Sequence, residues 1–302
     1  MNGILPLLKP AGWTSHDCVM KVRKIFKTKK VGHTGTLDPS VTGVLPIAIG
    51  TATKVVQYLQ DEGKTYEAVV TVGIATTTED QDGEMIESKP IKKPIKREEI
   101  ISAIKQLTGK ITQIPPMYSA VKVNGKRLYE YAREGKTVER PSREVIIYEL
   151  ELLDDKTEYI GETISFPIRV KCSKGTYIRT LAVSIGEILG YPAHMSKLIR
   201  TSACGISIEH CLTLEEIEQK VNKGQGENLL LPIEIPLRSL PKYEIHDKLA
   251  DRVRNGVVLP LPEQFEEYFG PVALWLDGKI LAIYKKHPTK PGLFKPDRVL
   301  HG

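Results

Sequence analysis

Cysteine is scarce and badly spaced for ligation. The four present, Cys18, Cys172, Cys204 and Cys211, include no pair two residues apart, so no zinc or dithiol redox motif is written in the chain. Buried reduced thiols, as in a cytosolic protein, are the expectation. Long apolar runs are missing too. No stretch approaches the ~20 apolar residues of a membrane span. The brief apolar stretch in MNGILPLLKP follows no basic leader. No membrane segment and no signal peptide are therefore expected, and the expected location is the cytoplasm. No lysine follows a second glycine at P-loop spacing, which argues against a nucleotide-phosphate cradle. His33 has no second histidine nearby, so it makes a poor metal site. There is no internal repeat and no low-complexity tract.

The 302 residues suggest one large domain and a smaller one. A hydrophobic share of 41% is ordinary for a folded soluble chain. The net charge is +6, and its distribution says more than its size. Residues 1–60 hold eight Lys/Arg against two Asp/Glu, and residues 85–145 hold fourteen against seven. Residues 61–84 reverse the balance, one against seven. Two basic blocks around an acidic one fit either a polyanion partner or a pair of solvated lysine-rich faces.

The pattern along the chain mixes strands and helices without strict alternation, which argues for α+β. Thr14 or Ser15 is placed to cap a helix running to about Phe26. Residues 31–43, VGHTGTLDPSVTG, have loop composition. The apolar run VLPIAIG reads as a strand buried on both faces. Strands are expected over 65–75, 143–153 and 166–173, and helices over 97–107, 177–189 and 214–221. Residues 76–84 read as a polar loop. Asn124-Gly125 and Asp277-Gly278 are hairpin signals. The proline-rich stretch 229–241 reads as a junction, giving domains 1–237 and 238–302, the second small and β-rich.

The richest segment for chemistry is GHTGTLDP, residues 32–39. Two glycines in four residues permit close approach to a ligand. Asp38 between Leu37 and Pro39 fits a carboxylate at a cleft mouth. It fits equally a turn aspartate bonded to its own backbone. Taken singly, Arg179 reads as a surface arginine at a helix start and Tyr66 as a packing residue of a strand.

Five blocks in order change that balance: KPAGWTSHD at 9–17, GHTGTLDPSVTGVLPIAIGTATK at 32–54, KTYEA at 64–68, PPMYSAVKVNGKRLYEYAREG at 115–135 and CSKGTYIRTLA at 172–182. Together they resemble the TruB family, the tRNA pseudouridine-55 synthases, over about the first 220 residues. The tail after 238 more faintly resembles a PUA-type RNA-binding domain. The resemblance implies a pseudouridine synthase fold, a mixed central sheet flanked by helices, with the β-rich tail appended. It implies isomerisation of uridine 55 in the T-loop of tRNA, with no cofactor and no metal. Asp38 takes the place of the family's catalytic aspartate. Arg179 takes that of its active-site arginine, which keeps a carboxylate ionised and oriented. Tyr66 would stack on the uracil and assist a proton. Tyr177 and Leu198 would contact the substrate, and His33 would fill the space left by the flipped base. Lys9 would serve a phosphate or a structural role. Residues 115–143 correspond to an RNA-gripping insertion, with Lys122, Lys126, Arg127 and Arg133, as well as Lys136, near phosphates. The implied partner is the T-stem-loop of tRNA, met by a monomer with no obligatory protein partner.

Three other readings stand beside this one. The first is a guide-RNA-dependent synthase subunit, whose family generally lacks the 115–143 insertion. The second is a non-catalytic RNA-binding or RNA-folding protein, which the joint presence of Asp38, Tyr66 and Arg179 argues against. The third is a hydrolase using Asp38 and His33, which would give free base as its product.

Overall fold

A computed structural model describes residues 1–59 and 63–300. By contacts the chain forms two units, each made of discontinuous segments. The first holds residues 1–38, 44–62 and 204–302, and the second holds residues 39–43 and 63–203.

In the first unit, strand β1 (Gly3–Lys9) is buried almost throughout. Helix α1 (Ser15–Ile25) follows. Thr14 is its cap: Thr14 Oγ1 accepts from Asp17 N at 3.0 Å, and Asp17 accepts from Thr14 N at 2.9 Å. The Thr14 hydroxyl, which donates to the Asp17 carboxylate at 2.6 Å, and the Thr14 N–H hold that carboxyl below its ordinary range. Val19 and Val22 turn inward from the helix. The segment read as loop from Val31 is in part a strand. β2 (Val31–His33) pairs antiparallel with the end of β3 (Thr42–Ile49), Val31 facing Ile49 and His33 facing Ile47. The backbone groups of a chain folded back on a buried strand need partners, and the β3 edge supplies them. Val44, Leu45, Ile47, Ala48 and Ile49 have no exposed surface, as the continuous apolar run requires.

The second unit is built on a mixed sheet. Its elements are β4 (Lys64–Val72), α2 (Arg97–Gln106), β5 (Gly109–Gln113), β6 (Arg143–Leu152), β7 (Ile164–Cys172), α3 (Ile178–Leu189) and β8 (Ala193–Ala203). The order runs from the first residues of β3 through β8, β4, β7 and β6 to β5. Only the β3–β8 pairing is parallel, with Ile199 opposite Thr42 and Arg200 opposite Gly43. The strand read as 65–75 breaks at Gly73, which has φ 111° and donates to Pro192 O at 2.7 Å. Residues 74–76 then form a separate hairpin with 85–88. Tyr66, Ala68, Val70 and Val72 alternate inward on β4, as do Ile164, Phe166, Ile168 and Val170 on β7. Leu181, Ala182 and Ile185 of α3 and Ile100 and Ile104 of α2 supply the buried helix faces. Helix α3 stops at Gly190, in the left-handed conformation that a C-terminal glycine favours. Asn124 and Gly125 both take positive φ between the paired strands Lys122–Val123 and Lys126–Arg127, the geometry a type I′ turn demands.

From Lys242 the first unit continues into a five-stranded sheet with its own core. Its longer strands are β9 (Lys242–Glu244), β10 (Val272–Leu276), β11 (Lys279–Lys286) and β12 (Leu293–Val299). Leu274, Phe265, Tyr284 and Phe294 pack at its centre. Asp277 and Gly278 turn between β10 and β11 with positive φ. The sheet is tied to the segment 54–58 of the same unit: Lys54 donates to Val299 O, and Gln57 and Tyr58 donate to the Asp297 carboxylate. Among the described residues no helix is long and apolar enough to cross a membrane.

Cys18, Cys172 and Cys204 are buried, and Cys211 is half-buried. Burial pushes the Cys172 thiol up to about 11. At pH 8 only about one molecule in a thousand then carries the reactive thiolate. Titration of the native protein with a disulfide reagent at pH 8 should therefore modify Cys211 rapidly and the other three only after denaturation. Rapid modification of all four in the native state would contradict the burial.

Candidate active site

The sequence placed Asp38 in a loop, and the structure shows what holds that loop. Thr34 N donates to Pro46 O at 3.1 Å. Leu37 is buried, and the buried Ser15 hydroxyl serves both of its backbone groups, accepting from Leu37 N at 2.9 Å and donating to Leu37 O at 3.2 Å. The residue immediately before Asp38 is thus pinned on both sides. Pro39, immediately after, has a fixed φ. Asp38 itself is half-buried. The same unit holds His33, half-buried at the end of β2, and Lys9 at the end of β1. Lys9 has no exposed surface, and its ammonium donates to Pro10 O at 2.8 Å. A lysine is buried this completely only when its charge is satisfied within the protein.

The second unit holds Arg179, Tyr66, Tyr177 and Leu198. Arg179 is the second residue of α3 and is only 6% exposed. Its guanidinium donates to Thr78 O at 3.0 Å and to Tyr118 O at 2.9 Å. It also pairs at 3.5 Å with the carboxylate of Asp80, itself buried. Asp80 accepts from the Thr78 hydroxyl at 2.5 Å and from Asp82 N at 3.0 Å. A buried arginine so held is a fixed positive charge, oriented by a planar fork. Tyr66 is buried at mid-sheet, opposite Val170 on β7 and Arg200 on β8. Tyr177 sits at the start of α3. The Gln113 side chain accepts from its N–H at 2.9 Å and donates to its C=O at 3.1 Å. The Arg143 guanidinium lies 5.4 Å from its ring centre, a cation–π distance.

Leu198, half-buried on β8 opposite Ala68, helps to line a cavity of about 190 Å³. Ser40 and Thr42 form another part of its wall, and Asp80, Gln81 and Lys197 add polar groups. The volume lies below the ~300 Å³ at which pockets for drug-sized ligands begin. Asp38 is two residues before Ser40 in the chain. The cavity thus brings Asp80, the partner of Arg179, together with Leu198 and the residues at the start of β3.

The insertion residues are partly engaged with one another. Lys122 is exposed. Lys126 pairs with Glu134 and lies 5.0 Å from the Tyr131 ring centre. Arg127 donates to the Tyr129 hydroxyl at 2.9 Å, and Arg133 lies 5.2 Å from the same ring. Lys126 and Lys136 hold the exposed Glu134 carboxyl below its ordinary range. Exposed pairs of this kind are worth little.

Sequence reasoning did not single out Asp80 or Gln113, and it named Ser15 only as a possible helix cap. Asp80 had a signal, since it lies in the acidic block at 61–84 and a buried arginine needs a carboxylate. Gln113 and Ser15 act on backbone groups distant in sequence, and nothing local marks them.

Comparison with known proteins places this geometry. Residues 23–178 match the N-terminal domain of the TruB family of pseudouridylate synthases, and residues 179–238 match the tRNA pseudouridylate synthase B C-terminal domain. The tRNA pseudouridine synthase B of Geobacillus thermodenitrificans is 57% identical over 99% of both chains. That of Bacillus subtilis is 55% identical over 99% of this chain and 98% of its own. Among solved structures, a Cbf5–Nop10–Gar1 complex matches with a TM-score of 0.74 at 30% identity, covering 99% of this chain and 84% of the other. An H/ACA RNP bound to a substrate RNA containing 2′-deoxyuridine matches at 0.73 and 26% identity, covering 99% and 85%. The pseudouridine synthase fold expected from the sequence is therefore the fold found, with a β-rich C-terminal sheet appended. By its motifs, by that fold and by its relatives, the chain belongs to the TruB family of pseudouridylate synthases.

Proposed function

We propose that this protein converts uridine 55 in the T-loop of tRNA to pseudouridine, with Asp38 as the carboxylate that acts on the substrate. The observation that carries the reading is local. Ser40, two residues after Asp38 in the chain, lines a small cavity together with Leu198 and Asp80, the partner of buried Arg179. The identity of the relatives named tRNA pseudouridine synthase B, 53–58% over nearly the whole chain, supplies the substrate class.

The reaction breaks the bond from ribose C1′ to uracil N1, turns the base, and joins C1′ to C5. The proton leaves C5, and N1 ends protonated. Atoms and electrons balance within the substrate, so the isomerisation calls for no oxidant and no electron sink. A carboxylate serves it either by attack or by stabilising positive charge on the sugar. In this reading Arg179 keeps the site's carboxylate chemistry ionised and aligned, and Tyr66 stacks on the base and assists the proton transfer. Tyr177, fixed by Gln113, and Leu198 bound the base, and His33 fills the space it vacates. Lys9 serves the fold of that region. The 115–143 insertion, through Lys122, Lys126, Arg127 and Arg133, grips the RNA backbone. The segment 238–302 is a PUA-like RNA-binding domain. The protein acts as a monomer in the cytoplasm.

The likeness to Cbf5 complexes supports a second reading, a catalytic subunit that depends on a guide RNA. One experiment separates the two. Purified protein alone is incubated with tRNA transcript tritiated at uracil C5, and the modified position is mapped. Tritium release mapped to the T-loop uridine is expected. Release only with added guide RNA favours the second reading, and free uracil as product makes the chain a hydrolase. Binding with no release under either condition removes the enzyme reading.

A further inference from the structure

Glu79 stands out in the loop that carries Asp80. It takes φ 62°, in the left-handed region that side chains disfavour. Lys27, Asn124, Cys204 and Asp277 share that conformation, of which Asn124 and Asp277 occupy hairpin turns and belong to the residue types that tolerate it. If the backbone alone mattered at 79, glycine or asparagine would be the expected residue. Strain of this kind persists where the surroundings over-determine it, and at Glu79 both the side chain and the backbone are held by named partners.

The carboxylate turns inward. Its Oε2 accepts from the Thr180 hydroxyl at 2.7 Å, and Thr180 is the residue after Arg179. Burial pushes the Glu79 carboxyl above its ordinary range, against the Thr180 bond and the charges of Arg179 and Arg140. Its backbone is tied as well, with N donating to Thr76 O and O accepting from Met195 N at 3.0 Å. Met195 in turn lines the cavity. The residues flanking Glu79 both hold Arg179, Thr78 through its carbonyl and Asp80 through its carboxylate. Three consecutive loop residues therefore grip two consecutive residues at the start of α3.

We propose that Glu79 is a positioning residue: by fixing Thr180 it sets where the Arg179 guanidinium and the Asp80 carboxylate stand at the cavity. The inference rests on the reading of Arg179 as part of the active site. Glu79 touches no substrate in this scheme, and it acts through its neighbours.

Single-turnover tritium release with enzyme in excess tests it, alongside tRNA affinity by filter binding. Glu79→Ala should lower the rate constant about 10–100-fold, the scale of a small misplacement, with the tRNA Kd within about twofold. Glu79→Gln, whose amide oxygen accepts the same bond, should recover to within about threefold of wild type. Thr180→Val should match Glu79→Ala, and the double variant should lose no more than either alone. Wild-type rates in folded Glu79→Ala and Thr180→Val overturn the proposal, as do losses that multiply in the double variant. If Glu79→Ala does not fold, Thr180→Val decides by the same criterion. A wild-type enzyme that releases no tritium from tRNA defeats the active-site reading itself, and this inference falls with it. An active wild type beside unaffected variants defeats this inference alone.

Discussion

Asp38→Asn protein is expected to bind unmodified tRNA with wild-type affinity and to release no tritium, a loss of more than about 10⁴-fold. Asparagine keeps the size and shape of the side chain. It loses the negative charge and the nucleophilic oxygen together, and both proposed uses of Asp38 need at least one of them. The fold should not notice. The loop is held one residue earlier, by Ser15 on both backbone groups of buried Leu37, and one residue later by the ring of Pro39. Melting temperature and tRNA affinity therefore serve as controls for an intact scaffold. Activity within tenfold of wild type, in a protein that melts normally, would assign the chemistry to another carboxylate. Loss of binding together with activity would make Asp38 a substrate-holding residue.

Much of this architecture was legible because local physics and the final fold agree. Val44 to Ile49 read as a strand buried on both faces, and it is one. Asn124-Gly125 and Asp277-Gly278 announced hairpins, since few other pairs tolerate two positive φ values in succession. What escaped was non-local. Val31–His33 has loop composition, and it becomes a strand only because the edge of β3 is there to pair with it. The alternation over 65–75 gave no warning of the break at Gly73, which a bond to Pro192 fixes. The site divides in the same way. Asp38, Tyr66 and Arg179 were named as candidates through their motifs. Asp80, Glu79 and Gln113 were not, because each is defined by a partner about 60 to 100 residues away. A buried arginine in an expected active site should have prompted a search for its carboxylate in the acidic stretch before residue 84.

Gly43→Ala should be the most damaging small substitution for stability. Gly43 has φ 117°, and a β-carbon there would stand 2.2 Å from Arg200 O and 2.6 Å from Arg200 N. Those are backbone atoms of β8, held by pairing with β3 on one side and β4 on the other, so they cannot swing away as a flexible side chain would. Relief requires the two strands to part at their parallel contact. The cost joins the left-handed strain of ~1–2 kcal/mol to a lost strand contact, and a total above about 3 kcal/mol is expected. In a chain of this size the melting temperature should fall by at least about 5 °C. Gly12→Ala separates the two terms. Gly12 has φ 78° with no atom within 4 Å of the added carbon, so it should cost the strain alone. Thermal melts of the two variants side by side decide the matter, and equal losses would mean that the close approach to Arg200 is not rigid. The same displacement would shift Leu198, two residues before Arg200 on β8, and with it a wall of the cavity. Whatever Gly43→Ala protein remains folded should therefore turn over tRNA more slowly than its folded fraction accounts for.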